Sequence, residues 1–201
     1  MHYLTKLFLD AAALRKGNIR DDYSIHRLVY SLFPLEQERS RFLYADKGSV
    51  RGGRLLLVLS EKEPNVPEYV TSATTIISEN FFCFSDYRFE IDLNPVKKEK
   101  ESGKRRAVTG QLDLLNWFIA HSEKWGFQAD ARSLEVSIKP VRQFSKDGTV
   151  CTFNHAFFRG RLHVTDQKKF RESFFAGLGH GKAFGFGLLQ LRPISNATSI
   201  N

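Results

Sequence analysis

The chain opens with an apolar segment from Tyr3 to Leu9, broken by one lysine, which fits a strand buried on at least one side. A polar loop containing Arg15, Lys16, Gly17, Asn18 and Arg20 is expected next. DDYSIHRLVYSLFP then reads as a helix: an aspartate stands at its start as a cap, Pro34 stops it, and Ile25, Leu28, Val29, Leu32 and Phe33 recur at helical spacing. Arg41 to Tyr44 and Arg54 to Leu59 are strand candidates, and Gly52-Gly53 between them predicts a hairpin. VTSATTIISEN suits a second helix or an irregular bridge, while SDYRFEIDLNPVKK alternates as a strand through Phe89, Ile91 and Leu93. The order β, α, β, β, α, β is the ferredoxin-like order.

KKEKESGKRR follows, with six basic and two acidic residues in ten positions and nothing apolar to hold it in a core. Beyond it the rhythm repeats. A helix shows Leu112, Leu115, Phe118 and Ile119 on one face, strands are expected near Leu134 to Pro140 and Val150 to Val164, and another helix near Asp166 to Ala176. A glycine-rich loop and a last strand, Leu188 to Arg192, complete the pattern, with the Arg106 to Val108 region left to supply an opening strand. The expected fold class is α+β, two tandem ferredoxin-like (RRM-like) domains. The first spans 1–95 and carries the capped helix; a basic linker spans 96–106; the second domain spans 107–195; and 196–201, without periodicity, reads as a disordered tail.

An apolar fraction of 42% with 18 phenylalanines indicates a globular chain. A formal charge of +8 and a pI near 9.6 favour a polyanionic partner, with a solvated basic surface as the plainer alternative. Two cysteines exclude a disulfide framework and a cysteine-based zinc site, and point to a reducing compartment. Lys6 and Asp10 break the first apolar segment as a signal-peptide core, and no apolar run reaches the roughly 18 residues of a membrane span. A cytoplasmic protein without membrane contact is expected.

GLGHGKAFGFGLLQL, residues 177–191, holds five of the 14 glycines. Ala176 and Ala183 occupy positions where a Walker loop needs glycine and Ser or Thr; the dinucleotide fingerprint fails at Lys182 and Phe184. The loop also lies between a helix and a strand, the reverse of the dinucleotide order. It remains either a flexible joint or a loop whose backbone approaches a phosphate or base, with Lys182 adding charge. His26 lies at the edge of the apolar stripe of its helix, with Tyr23 and Tyr30 on the adjoining face. It is either a half-buried core histidine or a proton carrier, since its ordinary pKa of about 6.5 suits transfer near neutrality. Asp86, Glu90 and Asp92 alternate like the wet face of a strand, and no metal site stands out. KPVRQFSKDGT places Lys139, Arg142 and Lys146 on an expected hairpin, either a charge-defended edge or a contact to nucleic-acid phosphates.

YLTK at 3–6, YSIHRLVYSLFP, RFLY at 41–44, FEIDLNPVKK at 89–98, GKRRAV and the glycine loop, ending in LLQLRP at 188–193, occur in an order that resembles the CasE family. That family comprises the CRISPR precursor-RNA endoribonucleases of the type I-E Cascade complex. Gly179 and, after five residues, Gly185-Phe186-Gly187 look like the glycine signature of the wider repeat-associated RNA-binding superfamily. The resemblance implies two ferredoxin-like domains and cofactor-independent, metal-independent cleavage of a repeat hairpin. The 2′-hydroxyl attacks the adjacent phosphate, giving a 2′,3′-cyclic phosphate and a 5′-hydroxyl. His26 matches the family's catalytic histidine, as base or acid, and Tyr23 a tyrosine that assists it. Lys182 would lie near the scissile phosphate. RNA contacts would come from Arg15, Arg20, Arg27, Lys104, Arg105, Arg106, Lys139, Arg142, Lys146, Gly179, His180, Gly181, Gly185 and Gly187. The implied partners are the CRISPR repeat hairpin RNA, as precursor and mature crRNA, and other Cascade subunits. A non-catalytic RNA-binding scaffold of the same superfamily is the rival reading.

Overall fold

β1 (Tyr3–Asp10) buries Thr5, Leu7 and Leu9 and leaves Lys6 and Asp10 exposed, the alternation of a strand covered on one face. The computed structural model that places it describes residues 1–33, 41–146 and 149–194. Asp10 accepts from the Ala13 amide and starts α1 (Ala11–Lys16), a helix where a polar loop was expected. Its six residues bury one side chain, Ala13, too little for a periodic signal. α2 (Asp22–Ser31) follows, capped by Asp21. β2 (Phe42–Val50), β3 (Gly53–Ser60) and β4 (Thr71–Ile76) complete an antiparallel sheet in the order β2-β3-β1-β4. α2 covers one face, so that Ile25, Leu28 and Val29 share a core with Leu7, Leu9, Tyr44, Leu56 and Val58.

VTSATTIISEN is therefore strand β4 and a 3-10 turn at Glu79–Phe82, with no second helix. Its threonine- and isoleucine-rich composition is that of a strand, and every residue of β4 is exposed. An edge strand with both faces wet shows neither a helical nor an alternating pattern.

The second sheet contains the larger correction. β5 (Asp86–Leu93), expected to close the first unit, pairs instead with β10 (Thr149–Val164) and β11 (Gln190–Pro193). Between these run β6 (Val96–Lys98), β7 (Arg105–Ala107), α3 (Gln111–Ser122), β8 (Phe127–Ala129), β9 (Glu135–Lys146) and α4 (Gln167–Ala176). β9 and β8 both pair with the edge of β10 opposite β5, giving β11-β5-β10-β9, the ferredoxin-like order with β5 as its first strand. The expected linker at 96–106 and the expected opening strand at Arg106 to Val108 form the β6–β7 hairpin, tied to α3 by the Trp117 indole N–H donating to Val96 O at 3.1 Å.

Alternation identified β5 as a strand without naming its partner. The partner follows from aromatics: Phe89 stacks on Phe118 of α3 at 5.3 Å, and Tyr87 packs on Phe170 of α4. α3 turns Leu114, Trp117 and Phe118 inward, and leaves Leu112 71% exposed, so the expected core face is rotated. Leu43, Ala45 and Leu59 of the first sheet join the core of the second, making the contact between units apolar. The tail 196–201 and Asp147-Gly148 of the expected turn lie outside the described residues. Among those described, no helix is long and apolar enough to cross a membrane.

Candidate active site

α2 is set by its first turn. The Asp21 carboxylate accepts from the Ser24 amide at 2.7 Å, the Ser24 hydroxyl accepts from the Asp21 amide at 3.0 Å, and this reciprocal cap fixes where the helix begins. With Ile25, Leu28 and Val29 committed to the core, His26 comes to the seam where α2 meets the glycine loop. Its Nδ1 lies 2.8 Å from the Ala183 carbonyl oxygen. The imidazole stacks on Phe184 at 5.1 Å, and Tyr30 and Tyr23 flank it at 4.2 and 5.9 Å. A carbonyl only accepts, so Nδ1 carries a proton and the lone pair of the neutral ring is on Nε2. A cavity of about 390 Å³ opens here, with Tyr23, His26, Arg27 and Tyr30 among its walls. Burial pushes the Tyr30 hydroxyl up from the ordinary tyrosine value.

The loop reaches α2 because its glycines allow close packing. Gly181 and Gly185, both in the left-handed region, bracket a 3-10 turn at Lys182–Phe184. A Cβ on Gly185 would stand 2.8 Å from the Tyr44 ring, so a side chain there would push the turn off the first unit. Arg142 of β9 ties the same parts together. Its Nη1 donates to Phe184 O at 3.5 Å, its Nε lies 3.7 Å from an Asp22 carboxylate oxygen, and its guanidinium covers Phe186. Asp22, in the first turn of α2, also faces Arg54 at 3.7 Å.

The expected site residues divide accordingly. His26, Tyr23 and Arg27 meet at the cavity, with Arg15 and Arg20 exposed on the same unit. Arg142, expected as an RNA contact, has a side chain only 13% exposed and packs against the loop. Lys182, expected at the scissile phosphate, donates from Nζ to Ala176 O at 2.7 Å at the end of α4, and burial lowers its pKa. Gly185 and Gly187 are buried and Gly179 and Gly181 partly so, which makes the first pair packing positions. His180 is exposed, and its backbone bridges Asn94; burial, then the charge of Arg105, lowers its pKa. Lys104, Arg105 and Arg106 are exposed at the β6–β7 hairpin, Arg106 pairing with Glu99 at 2.5 Å. Lys139 is exposed on β9; Lys146 ends β9, and its side chain lies outside the described residues. Sequence reasoning missed Phe184 and the Ala183 carbonyl. An aromatic between two glycine pairs was the available signal.

Comparisons with known proteins give the family. The family model described as CRISPR associated protein matches residues 2–193. The chain is similar to the CRISPR-associated endoribonuclease Cse3 of Thermus thermophilus, 26% identical over 215 residues that cover 95% of this chain and 100% of that protein. It is similar also to the CRISPR system Cascade subunit CasE of Escherichia coli, 23% identical over 206 residues covering 94% and 100%. The structure of Thermus thermophilus Cse3 bound to an RNA representing a pre-cleavage complex has a TM-score of 0.79 at 26% identity, covering 96% of this chain and 99% of that one. Matched across both ferredoxin-like units from residue 2 to residue 193, the chain belongs to the CRISPR-associated protein family and, within it, to the CasE proteins of the type I-E Cascade.

Proposed function

We propose that this protein is a metal-independent endoribonuclease that cleaves CRISPR precursor RNA at the repeat hairpin and holds the mature crRNA within Cascade. The observation that carries the reading is the Nδ1 contact of His26 to the Ala183 carbonyl, which fixes the ring and its tautomer at the wall of a cavity. A relative named as an endoribonuclease, and a relative's structure with an RNA representing a pre-cleavage complex, support it.

In the proposed reaction the 2′-oxygen loses its proton and attacks the adjacent phosphorus. The bond from phosphorus to the 5′-oxygen breaks, leaving a 2′,3′-cyclic phosphate and a 5′-hydroxyl once that oxygen takes up a proton. His26 works at Nε2: neutral, it accepts the 2′ proton; as imidazolium, it delivers one to the 5′-oxygen. A rate that rises with pH through the histidine pKa marks the base, and one that falls marks the acid. Tyr23 orients the substrate beside the ring, and Arg27 offers a phosphate contact on the same wall.

The test uses the repeat hairpin in excess chelator, with the nucleotide 5′ of the cut either normal or 2′-deoxy. Only the normal RNA should be cut, and His26→Ala should lower the rate by about 10²–10⁴ with binding retained. Cleavage of the 2′-deoxy substrate would refute the mechanism, and binding without any cleavage would identify an RNA-binding scaffold.

A further inference from the structure

We propose that the face of the second sheet turned away from α3 and α4 holds a second binding site, for the phosphate backbone of single-stranded RNA. Its centre is a rung of three arginines, Arg161, Arg88 and Arg192. The proposal rests on the reading above that the protein handles RNA.

Arg161 on β10 stands directly opposite Arg88 on β5, which stands directly opposite Arg192 on β11. Like charges placed opposite one another across strands destabilise a sheet. The neighbouring rungs avoid this. On one side His163 faces Asp86 and pairs with it at 3.0 Å. On the other, Arg159 faces Glu90; Arg159 pairs with Glu135 at 2.7 Å, and Glu90 receives Lys47 at 2.6 Å. Between two balanced rungs lies one of a single sign. All three of its arginines are exposed, and among the described residues none of their guanidinium groups is in an ion pair; the Asp130 amide donates to the Arg161 carbonyl at 3.0 Å, and its carboxylate feels the Arg161 charge without pairing with it. The surrounding depression encloses about 540 Å³. A bound polyanion would turn this unfavourable row into a favourable one.

The same face indicates which polyanion. Two and four residues along β10 from Arg161 come Arg159 and Phe157. The Phe157 ring is partly exposed, with the ammonium groups of Lys47 and Lys139 each 5.8 Å from its centroid. Beyond it the face closes: His155 is buried, its Nε2 2.6 Å from the Asp92 carboxylate and its ring 5.4 Å from the buried Phe186 of the glycine loop. The face beside the arginine rung thus offers one accessible aromatic ring, Phe157, between two ammonium groups, and then fixed positive charge. That is the combination by which proteins hold single-stranded nucleic acid, with bases stacking and phosphates paired. An acidic protein segment would match the arginines but has no use for the aromatic step.

The test measures binding of an oligouridylate of about 12 nucleotides, and separately of the unflanked repeat hairpin, over a range of salt. The chain is compared with a variant carrying Arg88→Gln, Arg161→Gln and Arg192→Gln. Losing three phosphate contacts should reduce the slope of log affinity against log salt for the oligouridylate by about 2. Hairpin affinity and cleavage should hold, and the thermal midpoint should hold or rise as the repulsion is removed. Failure of the unaltered chain to bind oligouridylate, or an unchanged slope in the variant, would overturn the proposal, as would binding of polyglutamate in its place. If the hairpin is not cleaved but the oligouridylate slope still drops, the site stands and the endoribonuclease reading falls. Should the triple variant not fold, Arg161→Gln alone should lower the slope by about 0.7.

Discussion

Gly187 tests whether the glycine loop is held by packing. Its φ is +87°, and a Cβ there would stand 2.4 Å from the Leu178 carbonyl oxygen. The residue is fastened on both sides: its amide donates to Asp92 O at 2.8 Å, and its carbonyl accepts from the Leu178 amide at 2.9 Å. Gly48 is a matched control, with φ at +73° and nothing within 4 Å of a Cβ. Alanine at either position incurs the cost of a left-handed conformation, about 1–2 kcal/mol. Only at position 187 must the backbone also move, and overpacking of this kind adds about 1–3 kcal/mol. We expect Gly48→Ala to lose about 1–2 kcal/mol and Gly187→Ala about 2–5 kcal/mol in urea unfolding, with the urea dependence unchanged. Gly187→Ala should also cut more slowly, because the shifted turn carries the Ala183 carbonyl with it, whereas Gly48→Ala should cut normally. Equal losses at the two positions would refute the steric argument.

Arg54 holds the Asp46 carboxylate, which is 3% exposed, through Nε to Oδ1 at 3.0 Å and through Nη2 to Oδ2. Arg54→Met should therefore lose about 3 kcal/mol by leaving that charge buried. Adding Asp46→Asn should return part of the loss in the same urea assay, and no recovery would refute the account. Burial holds His2 and His180 below the ordinary histidine value, with the charges of Arg105 and Lys182 adding to it at His180. The unfolded chain then binds their protons more readily than the folded one, so stability should be level above about pH 6.5 and decline below it, toward their lowered values. His2→Asn with His180→Asn should flatten that decline in thermal melts across pH, and an unchanged slope would count against it.

How much of this was legible follows the physics of each signal. Periodicity reports which face of an element is buried, so α2, α4 and most strands could be read along the chain, and His26 was placed correctly at the edge of its stripe. It does not report partners. β5 alternates as any strand would, and its place beside β10 is decided by aromatics on α3 and α4, which pack against its buried face. β4 gave no usable pattern because neither of its faces is buried. The glycine loop was noticed for its glycines, yet what it contributes to the site is the backbone carbonyl of Ala183, 157 residues from the histidine it holds. A carbonyl has no signature in a sequence, since every residue has one. The spacing of Gly181 and Gly185 does have one: each takes a left-handed conformation, and between them they turn that carbonyl toward α2. Glycines in this loop therefore constrain the site through backbone geometry, and substitutions there should impair catalysis by moving Ala183 even where no side chain touches RNA.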